Sequence, residues 1–350
     1  MKTYKNLWDI FVSDENIYEA IRNVCKHKTT RKKFKDLHDH PEKYIDWIRR
    51  EALNFHNSGH TPLEIYDGIQ RKKRTIIVPD FREQIVHHMA VNVLKPIIMK
   101  SMYYHSYGSI PGKGAHKAAA HIRKVIAKGG RDIKFVLKMD VRKYFDSVPH
   151  DKLMELIERK IKDTRFVALM REIVNVTDKG IPLGFYTSQW FANWFLSNLD
   201  HFIKERLHAK HYYRYMDDMV IFGSNKRRLH EMRRAIATEL NKLGLEMKGN
   251  WQVFRFHNGK KYRFLDFMGF RFYRTRVTLR RSIMYRICRK AKAMSKKEKE
   301  TIYDIRQMLS YLGWLKATDT YGIYIERVKP FVNFKRYKKR ISSYDRRRIA

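Results

Sequence analysis

The sequence predicts an α+β fold in which an antiparallel sheet is flanked by helices, and three segments carry that prediction. Tyr212 to Gly223, YYRYMDDMVIFG, reads as strand, tight turn and strand. Ile133 to Leu153, IKFVLKMDVRKYFDSVPHDKL, reads as an apolar strand ending at Asp140, then a turn and a helix. LWDIFVSDENIYEAIRNVC, near the start, sets apolar residues at helical spacing, with Ser13 or Asp14 available to cap its second helix.

In the first segment the strands are Tyr212 to Met216 and Met219 to Phe222, which puts Asp217 and Asp218 at the turn. Adjacent carboxylates flanked by buried strands repel one another and lose hydration unless a cation compensates. A bare Asp-Asp pair reads first as a solvated turn. The balance changes with Asp140, which ends its own strand where the active sites of sheet proteins gather. If the hairpin packs beside that strand, three carboxylates converge. Oxygen ligands of this kind suit two Mg²⁺ ions, with Mn²⁺ as a substitute, and the chemistry of two-metal phosphoryl transfer.

Charge is the second clue. Among 350 residues, 75 Lys and Arg against 36 Asp and Glu leave a formal net charge of +39. Such an excess implies a polyanionic partner, nucleic acid before others, over a merely basic solvated surface. No run of about 18 apolar residues and no leader-like start points to a membrane. Cys25 and Cys288 stand apart with no metal-ligand spacing, which fits a reducing, cytoplasmic setting. His38/His40 and His87/His88 lack companion ligands at zinc-site spacing and read as surface or packing residues. GSIPGKGAH is not a phosphate loop, because Gly114 stands where Ser or Thr is needed for magnesium.

Residues 1 to about 70 read as helices with a basic stretch from His27 to Lys35, and a short hairpin is expected around Arg71 to Val78. No Pro/Gly/Ser-rich linker, low-complexity block or internal repeat interrupts the chain.

Tyr215-Met216-Asp217-Asp218, together with Asp140 after its strand, closely resembles the palm motifs of reverse transcriptases. RTIIVPDFREQIVHHMAVNVLKPI (Arg74 to Ile97), SYGSIPGKGAHKA (Ser106 to Ala118), LGFYTSQWFANWFLSNLD (Leu183 to Asp200) and FLDFMGFRF (Phe264 to Phe272) resemble further motifs of that family, in its order. The resemblance implies a right-hand polymerase fold: N-terminal helices and fingers over 1–128, palm over 129–273, and a helical thumb with a basic tail over 274–350.

It also implies roles. Asp140, Asp217 and Asp218 are the catalytic metal ligands, with the Val141 carbonyl as a further contact. Phe145 stacks beneath the incoming sugar and selects a DNA product, or is ordinary core. Asp146 reads as a cap for the following helix. Arg74 clamps the triphosphate through its fork of N–H donors; Arg71, Lys72 or Lys73 can replace it, or contact template phosphates. Arg82 is structural or template-facing. Leu183, Gly184 and Gln189 border the nucleotide, and Lys248 lies near the pyrophosphate or on the surface. Gly112, Lys113 and Gly114 let the template approach, and Tyr215 and Met216 touch template or primer. A basic helix over Tyr285 to Glu300, with Lys290 and Lys292, and an aromatic one over Ser310 to Tyr324 suit a grip on an RNA–DNA hybrid. Eight basic residues between Lys335 and Arg348 form a further anion-binding tail.

One departure narrows the resemblance. Retron and group II intron reverse transcriptases carry Gln-Gly-x-x-x-Ser-Pro before the catalytic hairpin, where this chain has Leu183-Gly184-Phe185-Tyr186-Thr187-Ser188-Gln189. That form, with FLDFMGFRF, NWQVF at Asn250 to Phe254 and YLGWLKATDTY, looks like the reverse transcriptases of diversity-generating retroelements. This subgroup copies a template-repeat RNA from dNTPs into cDNA with frequent errors opposite adenine. The cDNA then replaces a variable region of a target gene, and the enzyme acts with a small basic accessory oligomer in a bacterial or phage setting. A faithful retron-like or intron-like enzyme, or a palm-fold nucleic-acid-binding protein without catalysis, are the competing readings.

Overall fold

The computed structural model describes residues 2–26, 28, 31–58, 60, 62–67, 72–256 and 263–349. Arg71 lies outside the described residues, as does part of the basic stretch from His27 to Lys35. Three antiparallel sheets form. β1 (Pro62–Asp67) pairs with β2 (Lys72–Ile77) in a separate hairpin. β3 (Phe135–Met139), β4 (His211–Tyr215), β5 (Asp218–Gly223) and β6 (Gln252–Arg255) make a four-stranded sheet in the order β4-β5-β3-β6. β7 (Leu265–Phe267), β8 (Phe270–Phe272) and β9 (Val277–Leu279) make the third.

The four-stranded sheet is buried on both faces, and the period-two alternation of its strands divides the molecule into two cores. Leu137, Met139, Tyr212, Met219 and Ile221 join the first core, with the N-terminal helices, the 21-residue helix Phe81–Ser101 and the helices His150–Lys160, Tyr186–Phe195 and Lys226–Lys242. Val136, Tyr213, Val220, Phe222 and Phe254 join the second, with helix Ala115–Lys128, β7–β9 and the C-terminal helices Arg281–Ser295, Ile302–Lys316 and Phe334–Ile349. The N-terminal helices thus share a core with one face of this sheet, and the C-terminal helices share one with the other.

Local chemistry explains the element ends. Ser13, not Asp14, caps helix Asp14–Cys25 by accepting from Asn16 N. Asp80 and Glu83 form a reciprocal capping box at the start of Phe81–Ser101, and Arg82 pairs with Glu51 and Asp80. The cap expected of Asp146 is absent: it lies in the short helix Tyr144–Ser147, and helix His150–Lys160 begins at Pro149 without a side-chain cap. His87 is fully buried against Thr187 and His88 stacks on Tyr186, so both pack. No helix among the described residues is long and apolar enough to cross a membrane.

Candidate active site

Strand register assembles the site. In the β4–β5 hairpin Tyr215 pairs with Asp218, which leaves Met216 and Asp217 as the turn and makes Asp218 the first residue of the returning strand. Met216 takes a left-handed φ of 55° at the first turn position, as primed two-residue hairpins require there. β3 pairs with β5 so that Met139 faces Met219; one step further along, Asp140 comes opposite Asp218. Three carboxylates distant in sequence therefore meet at one end of the sheet, at the floor of a cleft of about 1470 Å³.

They meet at an electrostatic cost. Burial raises the Asp217 carboxyl to about 7, reinforced by the charge of Asp140 and a hydrogen bond with it, while Arg74 opposes the shift. Burial raises Asp218 to about 7 as well; Lys138 opposes, and Asp140 and Asp217 add to the rise. Lys138 Nζ lies 3.9 Å from Asp218 and Lys248 Nζ 3.7 Å from Asp140, distances that screen these carboxylates without saturating them. Asp140 Oδ1 and Asp218 Oδ1 are buried with no hydrogen-bond donor. Among the described residues no three His, Cys, Asp or Glu side chains stand close enough to enclose an ion by themselves. The site offers separate, uncompensated carboxylate oxygens, a donor set that fits a hard divalent cation which keeps other ligands of its own.

A buried network fixes the turn from beneath. Arg214 and Asp200 are both fully buried and joined at 2.6 Å. Arg214 Nε donates to both Asp200 oxygens, Nη1 to the Met216 carbonyl at 3.0 Å and to Asn193 Oδ1, and Nη2 to Asp200 and the Asn193 carbonyl. Burial works against the guanidinium charge, but Asp200 more than offsets it and holds the Arg214 pKa above its ordinary value. Asn193 Nδ2 donates to Gly108 O at 2.8 Å, and Gly108 sits so close that a Cβ on it would fall 2.7 Å from Met216 N. Sequence reasoning missed Arg214, Asp200 and Asn193. The available signal was an Arg inside the apolar run YYRY, where burial demands a partner.

The basic hairpin closes the cleft from above. Arg74, Ile65 and Ile76 line it, as do Leu183, Gly184, Gln189, Phe145, Val141, Tyr215, Met216 and Lys248. Ile77 N donates to Leu183 O at 2.7 Å, so β2 is hydrogen-bonded to the loop that borders the cleft. Gly184 has φ 116°, and a Cβ there would collide with the Ile77 carbonyl. Its requirement for glycine is thus a matter of docking the hairpin. Gly184→Ala is expected to cost about 1–3 kcal/mol of local strain and to raise the KM for nucleotide through displacement of Arg74. Thermal melting and steady-state kinetics check both. Phe145 is half-buried, packs edge-on against Tyr144, and its carbonyl accepts from Ile181 N at 2.8 Å. Ser109 Oγ donates to Gln189 Oε1 at 3.0 Å.

Other expected contacts stand elsewhere. Gly112, Lys113 and Gly114 do not line the cleft, and Lys113 Nζ is spent on the Tyr104 carbonyl at 2.6 Å. Lys290, read from the sequence as a template contact, pairs through its ammonium with Asp304 at 2.6 Å; Asp304 also holds Lys297 and completes the capping box of helix Ile302–Lys316, so Lys290 ties two C-terminal helices together. Lys292 is exposed and outside the cleft. The cleft itself carries Arg74, Arg142, Lys143, Lys248 and Arg280 against Asp140, Asp146, Asp217, Asp218 and Glu246, an even balance of charge.

A carboxylate-bearing antiparallel sheet, a basic hairpin docked above it and a helical C-terminal unit define a right-hand polymerase fold. The reverse transcriptase (RNA-dependent DNA polymerase) family matches residues 65–272, and the chain belongs to that family. It is 30% identical over 175 residues to an uncharacterized 91 kDa protein in the cob intron of Schizosaccharomyces pombe, covering 47% of this chain and 21% of that protein. It is 27% identical over 171 residues to protein YkfC of Escherichia coli K12, covering 45% of each. With the group II intron-encoded protein LtrA of Lactococcus lactis subsp. cremoris it shares 26% identity over 143 residues, 38% of this chain and 23% of LtrA. The matches thus span less than half the length of these relatives. Among solved structures, apo telomerase from Candida tropicalis truncated from its C-terminal domain aligns with a TM-score of 0.49 at 14% identity, covering 67% of this chain and 59% of that one.

Proposed function

We propose that this chain is an RNA-directed DNA polymerase, and the observation that carries the reading is the register that sets Asp140 opposite Asp218, with Asp217 in the adjoining turn. Asp140, Asp217 and Asp218, with the Val141 carbonyl, would hold divalent cations, Mg²⁺ first and Mn²⁺ as a substitute. When bound, such ions activate a primer hydroxyl and neutralise charge on the triphosphate. The protein's own part is to orient and exclude. Arg74 faces the same cleft with a fork of donors suited to phosphate oxygens. Phe145 offers an aromatic wall for the sugar, and Lys248 supplies a cation beside Asp140. Metal-dependent extension of a DNA primer on an RNA template tests the reading; no product with either ion would end it.

Within this activity we infer a mutagenic polymerase of a diversity-generating retroelement. It would copy a template-repeat RNA through an RNA–DNA hybrid, together with a small basic accessory oligomer that shares the RNA as its partner. Leu183 and Gln189 at the cleft wall support this, because an alkyl group there removes polar contacts that would help reject a mispaired nucleotide. Leu183→Gln is expected to lower errors opposite template adenine by about tenfold, read by sequencing the cDNA; an unchanged error spectrum would refute the pocket explanation. The identity with LtrA favours a second reading, a faithful intron-like enzyme, for which the wild-type error rate would be uniformly low. A cytoplasmic setting belongs to the proposal, supported by the unpaired thiols of Cys25 and Cys288.

A further inference from the structure

The cleft is balanced in charge, so the chain's excess of +39 lies outside it. Its densest concentration among the described helices is the last one, Phe334–Ile349, FKRYKKRISSYDRRRI, which holds eight Lys and Arg against one Asp. That helix divides into faces with different tasks. Phe334 and Tyr337 are buried in the second core. Arg336 and Arg340 turn to Glu300 on the neighbouring segment and share its carboxylate. Lys335, Lys338, Lys339 and Arg346 are left over: all are exposed, and no ion pair engages them among the described residues.

The spacing of these four residues, i, i+3, i+4 and i+11, sets them along one stripe of the helix. At a rise of about 1.5 Å per residue the stripe runs for about 16 Å. Like charges three and four residues apart oppose helix formation, so the arrangement gains from an anion laid along it. On the helix's other faces Phe334 and Tyr337 are buried, Ile341 packs partly against the core and Tyr344 lies beneath Arg306, so between Lys335 and Arg346 no apolar or aromatic side chain falls within the stripe to enter a bilayer or anchor a protein. A continuous phosphate backbone is the partner that fits.

We propose that the Lys335–Lys338–Lys339–Arg346 stripe is an RNA-binding surface separate from the cleft, on which one stretch of the template lies while another is copied. The proposal rests on the polymerase reading for its choice of RNA. It assigns to the thumb's outer helix the task of retaining a long template, and to the cleft that of positioning the reacting end.

The test is a triple variant, Lys335→Gln with Lys338→Gln and Lys339→Gln, compared with wild type and with the matching triple Lys→Arg chain. Dissociation constants for a single-stranded RNA of several hundred nucleotides are measured across a salt series. Each phosphate contact to a single strand contributes about 0.7 to the slope of log K against log salt, so the Gln variant is expected to lose about 2 from that slope while the Arg variant keeps it. Extension of a short pre-annealed primer–template that fills only the cleft stays at the wild-type rate, and thermal melting is unchanged because the residues are exposed. An unaltered slope overturns the proposal, as does an equal loss in the Arg variant. Loss of binding to phosphatidylserine vesicles with no change toward RNA overturns it too and reassigns the stripe to a membrane. If wild type binds RNA with the expected slope difference yet extends no primer, the surface stands and the catalytic reading falls.

Discussion

Asp217→Asn is expected to lower nucleotide addition by on the order of a thousandfold or more, while RNA affinity stays within about twofold. A bound cation supplies several kcal/mol of stabilisation to developing phosphate charge, and each 1.36 kcal/mol is about tenfold in rate. The amide keeps the shape of the carboxylate and discards the charge that holds the ion. On the proposed reading RNA is held by the basic surfaces, which the change does not touch. Stability should move the opposite way. Asp217 is buried beside Asp140 and its carboxyl is pushed up to about 7, so its charge is unfavourable in the folded metal-free protein above that pH. The variant should therefore melt slightly higher than wild type at pH 8 without metal, and the gap should close as pH falls below 7, where the wild-type carboxyl takes up a proton. Primer extension and a melting series at three pH values check this. Near-wild-type extension would remove Asp217 from the site.

The second large effect belongs to a residue that never reaches the cleft. Arg214→Met is expected to cost about 3–5 kcal/mol, because it strands Asp200 as an uncompensated charge at full burial. It also leaves the Met216 carbonyl and Asn193 Oδ1 without their donor. Arg214→Met with Asp200→Leu should recover much of the stability, since replacing both members of a buried ion pair by apolar side chains is often neutral. Activity should stay low in the double variant, because the Met216 carbonyl still lacks the bond that holds the turn. Urea unfolding measures the first effect and primer extension the second. A loss under about 1 kcal/mol in the single variant would mean that Asp200 finds water or another cation.

These two residues also mark the division between what was legible in the chain and what was not. The paired aspartates, the strand before Asp140 and the hairpin around Tyr215 follow from apolar periodicity and from the cost of setting carboxylates inside it, and the structure has these elements within a residue or two. Asp218 was read as a turn residue and is the first of its strand, since a two-residue turn consumes Met216 and Asp217. Gly184 reads from the sequence as bordering a nucleotide and does line the cleft; its φ and the Ile77 carbonyl add a docking role that the sequence does not show. The ion pair of Lys290 is not legible in the chain, because its partner Asp304 lies 14 residues on in another helix.

The sequence by itself determined the classes of element and the strong positive charge, and it singled out the three carboxylates that the sheet brings together, because those depend on local periodicity, composition and the chemistry of a short motif. Tertiary structure alone decided which charges remain available. Asp200 and Arg214 neutralise each other inside the core, Glu300 takes Arg336 and Arg340, Asp304 takes Lys290 and Lys297, and the cleft comes out even. Electrostatic pairing acts over a few ångströms of space whatever the distance along the chain, so only the folded arrangement separates the cations that hold the protein together from those left facing solvent.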